Sequence, residues 1–379
     1  MNYTKIKVAN LVNIDSGGAF ESKYFNLNDG IPLVRIRNVS TGSTDTLYNG
    51  SHDDRHLIDN GDLLVTMDGE FIIKKWNGGK ALLNQRVCRI RSICNKLDNK
   101  YLIYFLPEKL KQIEQRTSYV TVKHLSVNDI KDIEISLPPL EIQEKITDVL
   151  DKAQSLIDRR KEQIAKLDEF MQSVFLGMFG DPVKNPKGWE KVKLGEICNV
   201  YRGGSPRPIE KYLGGMVPWI KIGDATKGDN IYLHGTKECI IKEGVSKSRC
   251  VKNGSLIFAN CGVSLGFARI INFDGCIHDG WLSLEDIVED FNKVFLLKLL
   301  NTCTQYFRLI APDGTQPNLN TTIMKRFEII LPPIHLQNKF AQIVEKTEQQ
   351  KKVLKKSLSE MENLFNSLMQ KAFRGDLFQ

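Results

Sequence analysis

DIEISLPPLEIQ, at residues 132–143, recurs as RFEIILPPIHLQ at residues 326–337. The two copies are 194 residues apart (326 − 132), and the same offset pairs Tyr101 with Phe295 and Leu125 with Leu319. A fixed internal period is the signature of a duplicated structural unit. The sequence therefore predicts two copies of one plan, in which a globular part leads through a Leu-Pro-Pro junction into a further segment.

The beginnings of the two halves also match, at a shorter offset of 186 residues (217 − 31). The matching stretches are residues 5–8 with 191–194, residues 16–18 with 202–204, and residues 31–36 with 217–222. The difference of eight residues predicts insertions in the second half, before Asn253. The halves differ most at residues 66–80 and 259–275, where loops are expected. This pattern favours functional divergence of the loops over a duplication without present functional meaning.

Each half ends in a long segment with the heptad spacing of a coiled coil. Residues 142–178 contain no proline, and a matching register appears 194 residues later. The first seam is Ile146, Leu150, Ala153, Ile157, Arg160, Ile164, Leu167, Met171, Val174 and Met178. The second seam is Phe340, Val344, Thr347, Lys351, Leu354, Leu358, Met361, Phe365, Leu368 and Ala372, with Arg160, Thr347 and Lys351 as the polar breaks. The alternative is a pair of ordinary amphipathic helices packed on a core.

These patterns predict an α+β protein in which two globular parts alternate with two long helices. We name residues 1–138 the first head and residues 182–332 the second head, with the long helices at 139–181 and 333–379. Strands are expected at Ile31–Arg37, Asp62–Thr66 and Leu82–Arg91, and helices at Leu102–Glu114 and Val294–Leu309. A pseudo-twofold repeat would pair the long helices as an antiparallel coiled coil with a head at each end. About 37 residues make a rod of roughly 55 Å, which would act as a ruler between the heads.

Bulk composition adds limits. The net charge of +8 and the pI near 8.9 suit a polyanionic partner. The first residues have no apolar signal-peptide core, and no run approaches the ~20 apolar residues of a membrane span. The eight cysteines have no metal or redox spacing, so we expect reduced core residues in a cytoplasmic protein.

Candidate DNA-binding residues are basic and amide side chains in expected loops, because Lys and Arg neutralise phosphates and Arg, Asn and Gln bond base edges. In the first head they are Lys23, Arg35, Arg37, Asn38, Lys74, Lys75, Gln85 and Arg86. In the second head they are Arg202, Ser205, Arg207, Lys211, Lys221, Lys227, Lys247, Arg249, Asn260, Thr315, Gln316 and Asn318. For any single residue, a solvated surface role is an equal alternative.

Two other features superficially resemble ligand sites, and neither one predicts a bound ligand. The glycine pairs at 17–18 and 203–204 lack the Gly-Lys-Ser/Thr of a nucleotide-binding loop, so each is either a turn that approaches a phosphate or a plain hairpin turn. The stretch from His52 to His56 superficially resembles a metal site but has no counterpart in the second half, so no metal is expected.

The order of these motifs, twice over, resembles the specificity subunits of type I restriction–modification enzymes. The quoted Leu-Pro-Pro blocks and long helices carry this resemblance over essentially the whole chain. Further matches in the second half are the opening at 191–206, the strand at 217–220 and Gly314–Leu319. The first half departs from the pattern, since residues 120–124 replace Gly-Thr-Gln-Pro-Asn. This leaves the role of that first-half loop open.

The resemblance implies two target-recognition domains that each recognise one part of a split DNA site. It also implies that the long helices bind two adenine-methylating subunits, which motor-nuclease subunits join. S-adenosylmethionine, ATP and Mg would be bound by those partners, and this chain would bind no cofactor of its own.

No catalytic site is expected in the chain. The strings at 137–140 and 331–334 lack the Asn or Asp before the prolines, and the aromatic ring after them, that an amino-methyltransferase uses. Two alternatives stay open. One is the same DNA-recognition protein in a non-restricting methylation or phage-defence assembly, and the other is a free-standing two-headed DNA-binding regulator.

Overall fold

The computed structural model describes residues 3–116, 123–224, 231–311 and 318–378. It divides into two compact units, Met1–Lys161 with Ser357–Gln379 and Glu162–Lys356. Each unit contains one globular part together with a stretch of both long helices.

The first unit is built on short strands. They are β1 (Lys5–Lys7), β2 (Val12–Ser16), β3 (Phe25–Asn26), β4 (Ile31–Val34), β5 (Leu47–Tyr48), β6 (Leu57–Ile58), β7 (Leu63–Thr66), β8 (Ile73–Lys75), β9 (Ala81–Leu83), β10 (Val87–Ser92) and β11 (Glu134–Ser136). Its helices are α1 (Ile36–Thr41), α2 (Asn99–Arg116), α3 (Val127–Lys131) and the start of α4 (Leu140–Phe179). The sheets have the orders β2-β10-β7-β8, β3-β5-β4-β9-β6 and β1-β11.

The second unit repeats this plan. Its strands are β12 (Lys191–Lys193), β13 (Asn199–Arg202), β14 (Leu213–Ile220), β15 (Tyr232–Leu233), β16 (Glu238–Ile240), β17 (Arg249–Val251), β18 (Leu256–Ala259), β19 (Ala268–Ile271), β20 (Gly275–Ile277), β21 (Trp281–Glu285) and β22 (Glu328–Ile330). Its helices are α5 (Leu194–Ile197), α6 (Lys242–Val245), α7 (Lys293–Thr302), α8 (Thr304–Ile310), α9 (Thr321–Arg326) and α10 (Ile334–Arg374). The sheets have the orders β13-β21-β18-β19-β15, β16-β14-β20-β17 and β12-β22.

Strand pairing confirms the internal repeat. β10 pairs with β2 and β7, as β21 pairs with β13 and β18. The parallel pair β4–β9 has its counterpart in the parallel pair β14–β20. Each Leu-Pro-Pro junction comes directly after a strand, β11 or β22, that pairs with the first strand of its own half.

Both long helices begin and end within their expected bounds of 139–181 and 333–379, and they run antiparallel. In the first unit, Ile146 and Leu150 of α4 share a core with Leu368 and Ala372 of α10. In the second unit the end of α4 meets the start of α10, since the ring centres of Phe175 and Phe340 are 5.5 Å apart. The heptad seam therefore points inward, as its spacing predicted.

Lys351, a polar break in the second seam, is buried in the second unit and paired with two carboxylates. Its side chain is 3% exposed, and its Nζ lies 2.7 Å from Asp168 and 3.3 Å from Glu348. Burial by itself would lower the pKa of Lys351, but the two carboxylates outweigh it and the pKa is raised. The repeat places Ile157 at the equivalent seam position of the first unit, where it is buried without a charge.

Three expected elements have different bounds. The strand expected at Ile31–Arg37 ends at Val34, because Asn38 caps a short helix by accepting a hydrogen bond from the Arg35 amide. The strand expected at Leu82–Arg91 is two strands, β9 and β10, separated by a turn at residues 84–86. The helix expected at Val294–Leu309 breaks at Cys303 into α7 and α8.

Candidate nucleic-acid interface

In the second head, several loop segments converge at the ends of β13, β17 and β21. The amide of Gly203 donates to the Trp281 carbonyl at 2.8 Å, and that of Gly204 donates to the Ile277 carbonyl at 3.0 Å. The Ser248 hydroxyl donates to the Gly204 carbonyl at 2.8 Å. Segments 202–207, 246–250 and 277–281, which are distant in sequence, therefore form one surface.

Glycine is required at this junction. A Cβ atom on Gly203 would lie 2.2 Å from the His278 carbonyl oxygen, so no side chain fits between the two backbones. A Cβ atom on Gly17 would likewise lie 2.1 Å from the Asn84 carbonyl oxygen in the first head. The glycine pairs are thus packed turns in both halves.

Asp279 organises the basic side chains of this surface. Its carboxylate accepts hydrogen bonds from the Ser205 hydroxyl at 2.9 Å and from Arg207 at 3.3 Å, and its backbone carbonyl accepts one from Arg202 at 3.2 Å. Partial burial favours a raised pKa for Asp279, but Ser205, His278 and Arg207 outweigh it and the pKa is lowered. Asp279 therefore stays ionised and holds Ser205, Arg202 and Arg207 together.

Arg249 and Lys247 lie against aromatic rings beside this cluster. The Arg249 guanidinium is 3.8 Å from the Tyr201 ring centre and forms two hydrogen bonds with Glu285, at 3.0 and 2.8 Å. The Lys247 ammonium lies 4.8 Å from the Tyr212 ring centre. Stacked, paired cations have restricted rotamers, which lowers the entropy cost of a contact with an anion.

The remaining candidates of the second head differ in accessibility. Lys211 is exposed, whereas Lys221 is bonded to Glu238 at 2.6 Å. Asn260 is fully buried, and its amide group donates to Asn318 at 3.0 Å. Lys227, Thr315 and Gln316 lie outside the described residues.

The first head forms the corresponding surface from different side chains. Asp68 lies 2.8 Å from Arg86 and 2.6 Å from His124 Nδ1. The backbone N–H of Gln85 donates to the Gly18 carbonyl at 2.8 Å, and the Gln85 side chain is exposed in the turn at residues 84–86. The predicted DNA-binding residues Gln85 and Arg86 thus share one turn, and the carboxylate of Asp68 lies beside it.

The other first-head candidates are spread over several elements. Lys74 and Lys75 are exposed on β8, and Arg37 is exposed on α1. Lys23 pairs with Glu21 at 2.6 Å, and Arg35 donates to the Thr46 hydroxyl at 2.6 Å. Asn38 is buried, and its amide group bonds the Ser43 carbonyl and the Arg35 amide. A DNA contact by Asn38 stays a prediction that this geometry does not favour.

The two surfaces share one backbone frame. The Leu125 amide donates to the Met67 carbonyl in the first head, as the Leu319 amide donates to the Asn260 carbonyl in the second. Isolated bridges join Asp68 to His124 and Cys261 to Asn318 at the equivalent places. His124 therefore holds the position in the first head that Asn318 holds in the second, although the sequence of residues 120–124 departs from that of the second half. Residues 120–122 lie outside the described residues.

The organising acids, Asp68 and Asp279, are not among the residues predicted from the sequence, because a carboxylate is not expected to neutralise a DNA phosphate. A signal was present in the sequence, since each acid directly precedes a glycine, Gly69 or Gly280, and Asp-Gly pairs mark turns. Among the described residues, no group of three or more His, Cys, Asp or Glu side chains is arranged to hold a metal ion. Within the same part of the chain, no helix combines the length and apolarity needed to cross a membrane.

Comparisons with known proteins agree with this architecture. A family model described as the type I restriction modification DNA specificity domain matches residues 1–169 and 186–363. The type I restriction enzyme EcoBI specificity subunit of Escherichia coli is 30% identical over 415 residues, which covers 99% of this chain and 86% of that protein. The MjaVIII specificity subunit of Methanocaldococcus jannaschii is 21% identical, with 85% and 80% covered.

Two solved structures share the fold. The S subunit of a type I restriction–modification system from M. genitalium matches with a TM-score of 0.55 at 19% identity, covering 98% of this chain and 96% of that one. A second, from a study of complex assembly and conformational transition in a type I system, matches with a TM-score of 0.64 at 19% identity, covering 99% and 98%. The chain belongs to the family of type I restriction–modification DNA specificity subunits.

Proposed function

We propose that the two heads each recognise one part of a bipartite DNA site. The observation that carries this proposal is the shared frame with different side chains. Gly17 and Gly203 hold equivalent turns in place, while Gln85, Arg86 and His124 stand in one head where Asp279, Gly280 and Asn318 stand in the other. A constant scaffold with variable polar side chains suits two different base sequences.

We further propose that the long helices dock two methylase subunits. Phe170 of α4 is 51% exposed and Leu364 of α10 is 60% exposed, and the repeat offset of 194 residues relates them. Exposed large apolar side chains at equivalent positions give two copies of one partner the same contact. Catalysis belongs to the partners in this proposal. S-adenosylmethionine would be bound by the methylases, ATP and Mg by motor-nuclease subunits.

An exchange of heads tests the proposal of two independent DNA-recognition units. Residues 1–138 are replaced by the corresponding part of a family member with a different site, and the chain is expressed with its cognate methylase. Sequencing of methylated adenines should show one half of the site changed and the other kept. A matched chimera that exchanges residues 182–332 should change the opposite half. A change of both halves in either chimera would contradict the proposal.

The division of labour has its own control. The purified chain, supplied with S-adenosylmethionine and DNA, should not methylate or cleave. Addition of the cognate methylase should produce site-specific adenine methylation. Methylation by the chain alone would overturn the assignment of catalysis to the partner.

A further inference from the structure

Two thiols of the second head face each other across neighbouring strands. Cys250 of β17 and Cys276 of β20 are direct partners in the antiparallel register. Their Sγ atoms are 3.1 Å apart. Direct antiparallel partners have Cα atoms about 4.5–5.5 Å apart, which lies within the range of about 4.4–6.8 Å seen in disulfides.

The two thiols differ in accessibility. Cys250 is exposed and Cys276 is buried. Burial raises the pKa of the Cys276 thiol to about 12, so this thiol stays protonated near neutral pH. An oxidant in solution therefore meets Cys250 first, with Cys276 placed behind it. The general expectation of reduced core cysteines does not hold for Cys250, which is a surface residue.

The pair adjoins the candidate nucleic-acid interface. Arg249, beside Cys250, is stacked on Tyr201, and Lys247 lies three residues before Cys250 on the same surface. Asp279, the organising carboxylate, lies three residues after Cys276. A covalent bond between β17 and β20 would therefore alter the positions of Arg249 on one side of the basic cluster and of Asp279 on the other.

The first head lacks such a pair. Leu57 and Leu82 are direct partners in β6 and β9, the strands equivalent to β17 and β20. The two leucines cannot be oxidised in this way. Any effect of the thiol pair would thus be confined to one of the two heads.

We propose that Cys250 and Cys276 are an oxidation site that closes to a cross-strand disulfide and weakens DNA binding by the second head. Hydrogen peroxide serves as the oxidant. The Cys250 sulfur attacks one peroxide oxygen, the O–O bond breaks, and the thiol proton joins the departing hydroxide to form water, so that Cys250 becomes a sulfenic acid. The Cys276 sulfur then attacks the Cys250 sulfur, its proton joins the departing hydroxyl, and a second water leaves. The thiols lose two electrons and the peroxide gains them.

The chemical step is tested on the full chain without DNA. The protein is treated with a small excess of hydrogen peroxide, remaining thiols are alkylated, and peptides are separated without reduction. Mass spectrometry should find the Cys250 peptide linked to the Cys276 peptide as the dominant cross-link, and dithiothreitol should release it. The exposed-residue variant Cys250→Ser should lack this link. Alkylation of both thiols after peroxide treatment, or a dominant link between other cysteines, would overturn the assignment.

The consequence for DNA rests on the proposed function and has a separate readout. Oxidised and reduced protein, assembled with the cognate methylase, are compared on DNAs with either half-site scrambled. Oxidation should weaken binding that depends on the second head by roughly threefold to tenfold. Binding through the first head and the Cys250→Ser variant should not respond. A cross-link without this loss would overturn the regulatory effect while leaving the oxidation site in place, and loss through both heads would contradict the confinement to one head.

Discussion

Gln143 and Gln337 make the same three hydrogen bonds at equivalent positions in the two units. The Gln143 amide oxygen accepts from the Asp98 amide at 2.9 Å, and its nitrogen donates to the carbonyls of Lys96 and Pro138 at 2.7 and 2.8 Å. The Gln337 side chain makes the equivalent bonds. Its oxygen accepts from the backbone N–H of Asn292 at 2.9 Å, and its nitrogen donates to the carbonyls of Asp290 and Pro332 at 3.0 and 2.8 Å. Both glutamines are fully buried. Each one ties the first turn of a long helix to the loop that enters a helix of its head.

Replacing either glutamine with leucine should destabilise its unit. Gln143→Leu leaves the part-buried Asp98 N–H and two carbonyls without their partner, and such a group costs about 1–3 kcal/mol where it is buried, as the Pro138 carbonyl is. We expect the free energy of unfolding to fall by about 3 kcal/mol or more for Gln143→Leu and for Gln337→Leu. Chemical denaturation monitored by circular dichroism measures this. Gln350→Leu, at an exposed position of α10, is the control and should change little.

The Asp279 carboxylate should strengthen DNA binding although it carries a negative charge. It holds Ser205 and Arg207 in place, so Asp279→Asn should disorder them and lower affinity for the second half-site by about tenfold. Fluorescence anisotropy with a labelled duplex gives the affinity. Glu289→Gln, which removes an exposed acid, should leave affinity equal or slightly higher. Tighter binding by Asp279→Asn would show that the residue acts only through its charge.

Docking of the methylase should depend on Phe170 and Leu364 separately. Each substitution, Phe170→Ser or Leu364→Ser, removes one of two equivalent apolar contacts and should reduce the complex from two methylase copies to one. Native mass spectrometry reports the stoichiometry. Val353→Ser is the matched control, because Val353 is 68% exposed but its equivalent position holds Arg159. Full occupancy in the Phe170→Ser, Leu364→Ser double variant would place docking elsewhere.

The repeat and the long helices could be predicted because they depend on local spacing. Heptads and a recurring Leu-Pro-Pro motif report on residues close in sequence, and both long helices end near their expected bounds. The sites depend on distant pairs, such as Ser205 with Asp279 or Asp68 with His124, which no spacing rule connects. The turn at residues 84–86 was missed for the same reason, since its frame is set by contacts with Gly18. The DNA contacts chosen from residue type stay predictions.

His278 should make stability depend on pH in the mildly acidic range. Its Nδ1 accepts from the Gly280 amide at 2.9 Å, an arrangement that requires the neutral ring. Burial lowers the pKa of His278, with Lys221, Arg207 and Arg202 adding to the effect and Asp279 opposing it. The unfolded histidine takes up a proton near pH 6.5, so between the two pKa values the unfolded state binds more protons. The stabilising contribution is complete above about pH 6.5 and is lost as the pH falls below it.

The His278→Asn variant isolates this contribution, because an asparagine oxygen can accept from Gly280 without titrating. The Tm of both proteins is measured by scanning calorimetry from about pH 7.5 to about pH 5.5. The wild type should lose more Tm than the variant over this interval. Parallel curves for the two proteins would contradict the prediction.

The long helices should set the spacer between the half-sites. Four residues are inserted after Ile164 in α4 and four after Leu354 in α10, so that both helices lengthen together. The insertions lie between the ion pair Lys161–Glu362 of the first unit and the ion pair Asp168–Lys351 of the second, so neither pair is broken. Four helical residues add ~6 Å of rise, close to two base pairs of DNA, and rotate the residues beyond the insertion by only about 40° from whole turns. Sequencing of methylated sites should show both half-site sequences unchanged and a longer spacer between them.

Inserting four residues after Ile164 alone is the control, which should lose stability because the partner helix must accommodate a bulge. An unchanged spacer in the doubly inserted protein, with methylation intact, would mean that the partner subunits place the heads and that these helices serve only as a docking surface.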